Sequence, residues 1–339
     1  MELGISIKGD LDVRRTVALA HQAEAAGFDY MWFADSHILW SDVYTQMAVC
    51  LDHTKRIRVG PLVTNPRVRD WSVAASIFAR LAQFGDGRVD VAVGRGDSSV
   101  RVMGHRPATV ETLTAYCDAL RTMLRGEACE YDGARGPVQL DWADPYELPI
   151  WIAAYGPRAL AAAGTHGDGL VIQLADPGLC QWFADQALAA RKAAGIDPAG
   201  YRVLSCAPAW IGDRETAIAQ TSWFPAVVGN HVADIVERHG AGTDLVPESL
   251  TAFIAARQGR GADEGYDYHK HAVAGSDNVH YVTDAITESF CLIGPAEAHV
   301  EKIKALEAAG VTQLALYLMT EDQERMIAEY ASKVLPHFR

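Results

Sequence analysis

The strongest constraint on this chain is a rhythm: strand-like apolar runs alternate with amphipathic, helix-like runs along most of its length. Leu3–Ile7 reads as a strand, and Val13–Ala26 as a helix that Gly27 stops. Phe28–Ala34, Ile57–Val63 and Arg88–Val93 repeat the strand pattern; Asp42–Asp52, Trp71–Phe84 and Val110–Leu124 repeat the helix pattern. After an irregular stretch, the strands Ile150–Ala154, Gly169–Leu174 and Val203–Ile211 follow, separated by helices at Arg158–Thr165 and Gly178–Ala194. Helix Ala296–Ala309, strand Gln313–Met319 and helix Glu321–Val334 close the series. Strands joined through helices run parallel. Eight such strands fit a closed (β/α)₈ barrel, a TIM barrel of the α/β class, better than an open doubly wound sheet. The expected organisation is one domain over residues 1–339, with insertions at about 126–148 and 221–289. The second carries a helical piece at Val227–His239, Gly-rich stretches at Gly240–Gly242 and Gly259–Gly265, and an aromatic, His-rich piece at Tyr266–His271. Both insertions are expected to shape a substrate pocket, because function in a barrel concentrates in its loops.

Charge narrows the partners. The net charge is −13, which argues against nucleic acid and anionic membrane, since both need basic patches. No apolar run approaches the ~18 residues of a membrane span. The six cysteines form no Cys-x-x-Cys pair, and most lie in apolar runs. They read as buried core residues in a reducing cytoplasm. Met1 leads at once into the first strand, so no signal peptide is expected.

Two strand ends carry the chemistry. Val89–Val93 runs into Gly94-Arg95-Gly96-Asp97-Ser98-Ser99, and Ile150–Ala154 into Tyr155-Gly156-Pro157-Arg158. Small residues there expose backbone N–H groups, and a helix start adds more, so both ends suit anions. Together they suggest a long, phosphate-bearing cofactor lying across the strand ends of a parallel sheet. The glycine pattern is not the dinucleotide fingerprint, because Ser99 stands where its last glycine belongs.

Further segments point to a family. They are Ala23-Glu24-Ala25-Ala26-Gly27-Phe28-Asp29, Trp32-Phe33-Ala34-Asp35-Ser36-His37 and Gly60-Pro61-Leu62-Val63-Thr64-Asn65-Pro66. Gly87-Arg88-Val89-Asp90, Gly94–Asp97, Ala154–Arg158, Gly167-Asp168-Gly169 and Gly294-Pro295 complete the set. In this order the chain resembles the bacterial luciferase-like flavin and deazaflavin oxidoreductases. Within them it resembles the branch that uses coenzyme F420, which includes methylenetetrahydromethanopterin reductase. The resemblance implies a barrel without metal and a cofactor at the C-terminal strand ends. It also implies hydride transfer to or from a small organic substrate. FMN is the alternative cofactor, with monooxygenase chemistry; a non-catalytic flavin-binding barrel is the third reading. A homodimer or higher homo-oligomer is expected.

The resemblance assigns Leu62, Val63, Thr64 and Asn65 to the bed of the ring system, with a cis peptide at Leu62–Val63. The alternative is a tight turn built on Asn65-Pro66. Arg95, Gly96, Asp97 and Ser98 are expected at the ring edge and ribityl chain, whose hydroxyls need polar partners. Arg101 and Arg106 are secondary candidates. Tyr155, Gly156, Pro157 and Arg158 are expected to hold the phosphate. Gln173 faces cofactor or substrate, and Trp40 stacks nearby or sits in the core. Asp35 and His37 are the expected acid–base residues, because His titrates near neutral pH. The plain alternative for His37 is a solvated loop residue. His269, His271 and His280, with Tyr266 and Tyr268, read as a polar lid rather than a metal cluster. Gly167-Asp168-Gly169, at the barrel bottom, reads as structural.

Overall fold

A computed structural model of the chain describes residues 1–239 and 266–339. The Gly-rich stretches Gly240–Gly242 and Gly259–Gly265 lie outside the described residues. Nine strands are described: β1 Glu2–Lys8, β2 Tyr30–Ala34, β3 Arg58–Pro61, β4 Val91–Val93, β5 Ile150–Ala153, β6 Gly169–Ile172, β7 Arg202–Ile211, β8 Leu292–Gly294 and β9 Gln313–Tyr317. Their order is β3-β2-β1-β9-β7-β6-β5-β4, with every named pair parallel. Isolated bridges Val59↔Val89 and Thr64↔Val93 bring β3 to β4 and close the ring. Setting β8 aside, this is the eight-stranded barrel that the alternation predicts. β8 itself pairs only with the end of β7, at Ala209–Ile211, and was not expected. The fourth strand is also shorter than its apolar run, because Val89 pairs only through a lone bridge.

Capping residues set the helix limits. Asp12, Asp42, Asp70 and Asp176 each accept a hydrogen bond from a first-turn N–H of the helix that follows. Gly27 ends the first helix in the left-handed conformation, with φ 94°, and its N–H returns to Ala23.

Large side chains plug the N-terminal end of the barrel. Trp32 and Trp151 meet edge to face at 6.2 Å. Trp32 Nε1 donates to Gln313 Oε1 at 2.9 Å, and Trp151 Nε1 to Asp90 Oδ2 at 2.8 Å. Asp90 is fully buried and pairs with Arg58 and, at 3.5 Å, with Arg202. Asp168 is structural as expected: it accepts from Arg121 at 2.9 Å and from the Ile150 N–H at 2.8 Å. With this end filled, the cavity lies at the opposite, C-terminal end.

The two insertions differ. Residues 126–148 form one antiparallel bridge, Cys129↔Val138, and pack along helix Trp71–Phe84. Tyr131 lies against Trp71 at 5.2 Å, and Arg80 sits 4.7 Å over the Trp142 ring. None of these residues lines the cavity, so the expectation that this insertion shapes the pocket is corrected. Its aromatic residues are used on the outer flank instead. The described part of the second insertion, helix Trp223–His239 and residues 266–290, does cover the C-terminal face.

One buried histidine sets an acid limit. His299 is 1% exposed, holds the Tyr330 hydroxyl at 2.7 Å, and is pushed down to about 4 by burial. The unfolded chain takes this proton near pH 6.5, whereas the folded chain resists it until about 4. Stability is therefore full above about 6.5 and falls as pH drops toward 4. The limiting loss is roughly 3 kcal/mol, at about 1.4 kcal/mol per pKa unit. His299→Gln should flatten this acid limb in urea midpoints compared between pH 7.5 and pH 4.5; an unchanged limb would place the acid sensitivity elsewhere.

Candidate active site

The strand ends around β3 and β4 form one wall of a cavity of about 350 Å³. The backbone is locked there: Thr64 N–H donates to Ala92 O at 2.9 Å, and Gly94 N–H to Thr64 O at 2.8 Å. The Leu62–Val63 peptide is cis, as the resemblance implies. Leu62, Val63 and Asn65 line the cavity, whereas Thr64 is fully buried behind it and accepts from Tyr44. A Cβ on Gly94 would meet Val63 Cγ2 at 2.7 Å. Gly96 has φ +89°, and a Cβ there would meet Val100 Cγ2 at 2.5 Å and Asn65 Oδ1 at 3.1 Å. Only glycine leaves this bed open.

Side chains tie the bed together. Asn65 Nδ2 donates to Ser99 Oγ at 3.0 Å, and the Ser36 and Ser98 hydroxyls are bonded at 3.0 Å. Arg95 lines the cavity and donates to Ala108 O. Asp97 Oδ1 pairs with Arg101 at 2.9 Å and lies 3.4 Å from the Tyr268 hydroxyl, while His231 Nδ1 stands 3.9 Å from Oδ2. Asp97 Oδ2 is buried without a hydrogen-bond partner. Arg106 is exposed and away from the cavity lining.

On the β5 side, Tyr155 accepts from the Gln173 N–H at 2.8 Å, and Gln173 Nε2 donates to the Tyr317 hydroxyl at 2.7 Å. Burial pushes both phenols well above 10, which keeps them neutral. Tyr155 stacks on His231 at 5.3 Å. Gly156 caps helix Pro157–His166 without a side-chain bond, with Pro157 at its first turn. Arg158 lines the cavity and pairs with Glu111, at the start of helix Val110–Leu124. Both are largely exposed, so the pair itself adds little stability.

The β2 loop departs from the expectation. Asp35 lines the cavity, with its carboxylate 2.6 Å from Arg69 and 3.3 Å from the Tyr44 hydroxyl. Burial raises its pKa, and Arg69 opposes the rise. His37, by contrast, is exposed and absent from the cavity lining. Ser36, 1% exposed, takes the inward position, and the Leu39 and Trp40 N–H groups fold back onto its carbonyl. That turn points the next residue outward, so His37 is withdrawn as an acid–base group of the cavity.

The lid supplies imidazoles instead. His231, missed in the sequence, and His271 both line the cavity. His271 Nδ1 is bonded to the Tyr266 hydroxyl at 3.0 Å and lies against Trp40, 6.2 Å between rings. Burial pushes it down to about 4, so it stands neutral at pH 7. His269 and His280 are exposed and do not join it. Among the described residues, no group of His, Cys, Asp and Glu gathers as metal ligands. The signal that could have found His231 is a helical stripe: Trp223, Val227, Asn230 and His231 share one face.

The residues fit a long, planar, phosphate-bearing group. A glycine bed that a Cβ would fill shares the cavity with Asp97, whose Oδ2 has no hydrogen-bond partner, and with the buried Asn230, neither of whose side-chain polar atoms has one. A helix N-terminus with a nearby arginine stands at one side.

Comparisons with known proteins agree with this geometry. The chain is 26% identical to the 5,10-methylenetetrahydromethanopterin reductase of Archaeoglobus fulgidus, covering all of both chains. Its fold superposes on the coenzyme F420-dependent tetrahydromethanopterin reductase of Methanopyrus kandleri with a TM-score of 0.77, at 24% identity, covering 100% of this chain and 99% of that one. An F420-dependent secondary alcohol dehydrogenase, solved as an F420–acetone adduct, gives 0.71 at 19% identity over both whole chains. The sequence model of the luciferase-like monooxygenase family matches residues 1–313 of the 339. The chain therefore belongs to the luciferase-like monooxygenase family.

Proposed function

We propose that this chain is an F420-dependent oxidoreductase that passes a hydride between the deazaflavin and a small organic substrate. The observation that carries the reading is the open bed of Leu62–Asn65 against Gly94–Ser98, in a chain similar from end to end to an F420-branch reductase. Bound F420 supplies a two-electron hydride carrier. The protein's own residues hold, orient and protonate. Leu62, Val63, Asn65 and Gly96 seat the ring, and Thr64 supports the bed from behind. Arg95, Asp97, Ser98 and Gln173 offer polar contacts to its edge and chain. The Gly156 N–H and the first-turn N–H groups of Arg158 and Ala159, with the Arg158 and Tyr155 side chains beside them, suit the phosphate.

Asp35 stays in this reading as a carboxylate of the cavity wall, oriented by Arg69. The proton that accompanies a hydride passes through an imidazole nitrogen of His231 or His271 rather than His37. A single barrel domain working as a cytoplasmic homo-oligomer completes the proposal. All six cysteines are free, five of them buried, as suits a reducing compartment.

Titrating F420 and FMN side by side into purified protein tests the assignment. F420 should bind tighter by about tenfold or more, equivalent to about 1.4 kcal/mol. Comparable or tighter FMN binding would reverse it in favour of an FMN monooxygenase. Failure of both to bind would remove the enzyme reading.

A further inference from the structure

Helix Trp223–His239 turns one polar group into the cavity with nothing to satisfy it. Asn230 is 1% exposed and lines the cavity, and neither its Oδ1 nor its Nδ2 has a hydrogen-bond partner. Its helical neighbours on that face, Trp223, Val227 and His231, line the cavity too. A carboxamide buried without partners costs more than a leucine of similar size at the same place. An apolar residue would complete this otherwise aromatic and aliphatic stripe more stably.

We propose that the Asn230 carboxamide is a recognition element for a ligand edge that sets an N–H beside a C=O. The amide presents a donor and an acceptor side by side in one plane. A lactam, imide or pyrimidinone edge matches both atoms at once, through two parallel hydrogen bonds. A ketone or a carboxylate only accepts, so it satisfies Nδ2 and leaves Oδ1 bare. Asp97 Oδ2, also buried and without a hydrogen-bond partner at the cavity, can take one more donor from the same ligand. The inference rests on the proposed function, because two molecules in that reaction could present the edge. One is the ring of the cofactor, and the other is the substrate.

The test uses Asn230→Leu, which removes both polar atoms, and Asn230→Asp, which replaces the donor with an acceptor. Without ligand, Asn230→Leu should unfold at the same or a higher temperature than the parent. A clear fall would show that the amide serves the fold, and would overturn the proposal. Two binding arms follow on folded protein. F420 is titrated by quenching of tryptophan fluorescence. δ-Valerolactam and cyclohexanone, a ring of equal size without the N–H, are titrated into the protein with and without F420 by ligand-observed NMR. The parent should favour the lactam. Each variant should lose about 10–100-fold in one arm, the equivalent of two net hydrogen bonds. Loss in the F420 arm assigns the edge to the cofactor; loss in the lactam arm alone assigns it to the substrate. Unchanged affinity in both arms overturns the proposal. If F420 fails to bind the parent while lactam binding still depends on Asn230, the recognition element stands and the proposed cofactor falls.

Discussion

Arg69→Met is expected to destabilise the protein by about 3–5 kcal/mol, the usual cost of stripping one partner from a buried ion pair. The Asp35 side chain is 2% exposed and rests on Arg69 at 2.6 Å, while the guanidinium also lies 4.4 Å over the Tyr44 ring. Removing the cation leaves a carboxylate in a site where burial already raises its pKa. Without Arg69 that pKa rises further, so the variant's folded state binds a proton that the unfolded chain has released. Its deficit should therefore shrink as pH falls below the raised value and grow as pH climbs through it. Urea denaturation at pH 5 and pH 8 reads both effects. Pairing the change with Asp35→Asn should recover most of the loss, because the lone charge is gone. A deficit under 1 kcal/mol at both pH values would mean that Asp35 is satisfied without Arg69.

The barrel was legible because its period is long and repeated. Each apolar run and each amphipathic run was set by burial, and aspartates and glycines marked the ends. β8 was not legible: at three residues, between two helices, it carries no period to detect. The cavity wall proposed to seat the cofactor was legible at the level of segments, because small residues at strand ends leave open space there. Single side chains beyond a strand end were not. Past Ala34 the in-and-out alternation of β2 lapses, and a turn decides which of Ser36 and His37 is buried. Nothing in the local sequence distinguishes those outcomes. Asn230 and His231 were hidden for another reason: Trp223 and Val227 on the same stripe look like ordinary core. The Asp35–Arg69 pair joins residues 34 positions apart, so only the closed barrel reveals it.

Gly94→Val should remove cofactor binding almost entirely, with a loss of about 10²-fold or more, or roughly 2.8 kcal/mol at about 1.4 per decade. The reason is local and steric. A Cβ at position 94 would stand 2.7 Å from Val63 Cγ2, closer than side chains tolerate, with the Ala153 Cβ 3.7 Å away on the other side. The backbone cannot yield, because the Gly94 N–H is bonded to Thr64 O and the Thr64 N–H to Ala92 O. Val63 must therefore move, and the added methyls fill the strand-end space that the ring is proposed to occupy. Overpacking of this kind costs about 1–3 kcal/mol of stability, so the variant should still fold. Thermal unfolding and F420 titration, measured on the same preparation, separate the two effects. Gly94→Ala should show the same trend in weaker form. A folded Gly94→Val protein that binds F420 within a few-fold of the parent would show that the ring lies elsewhere in the cavity.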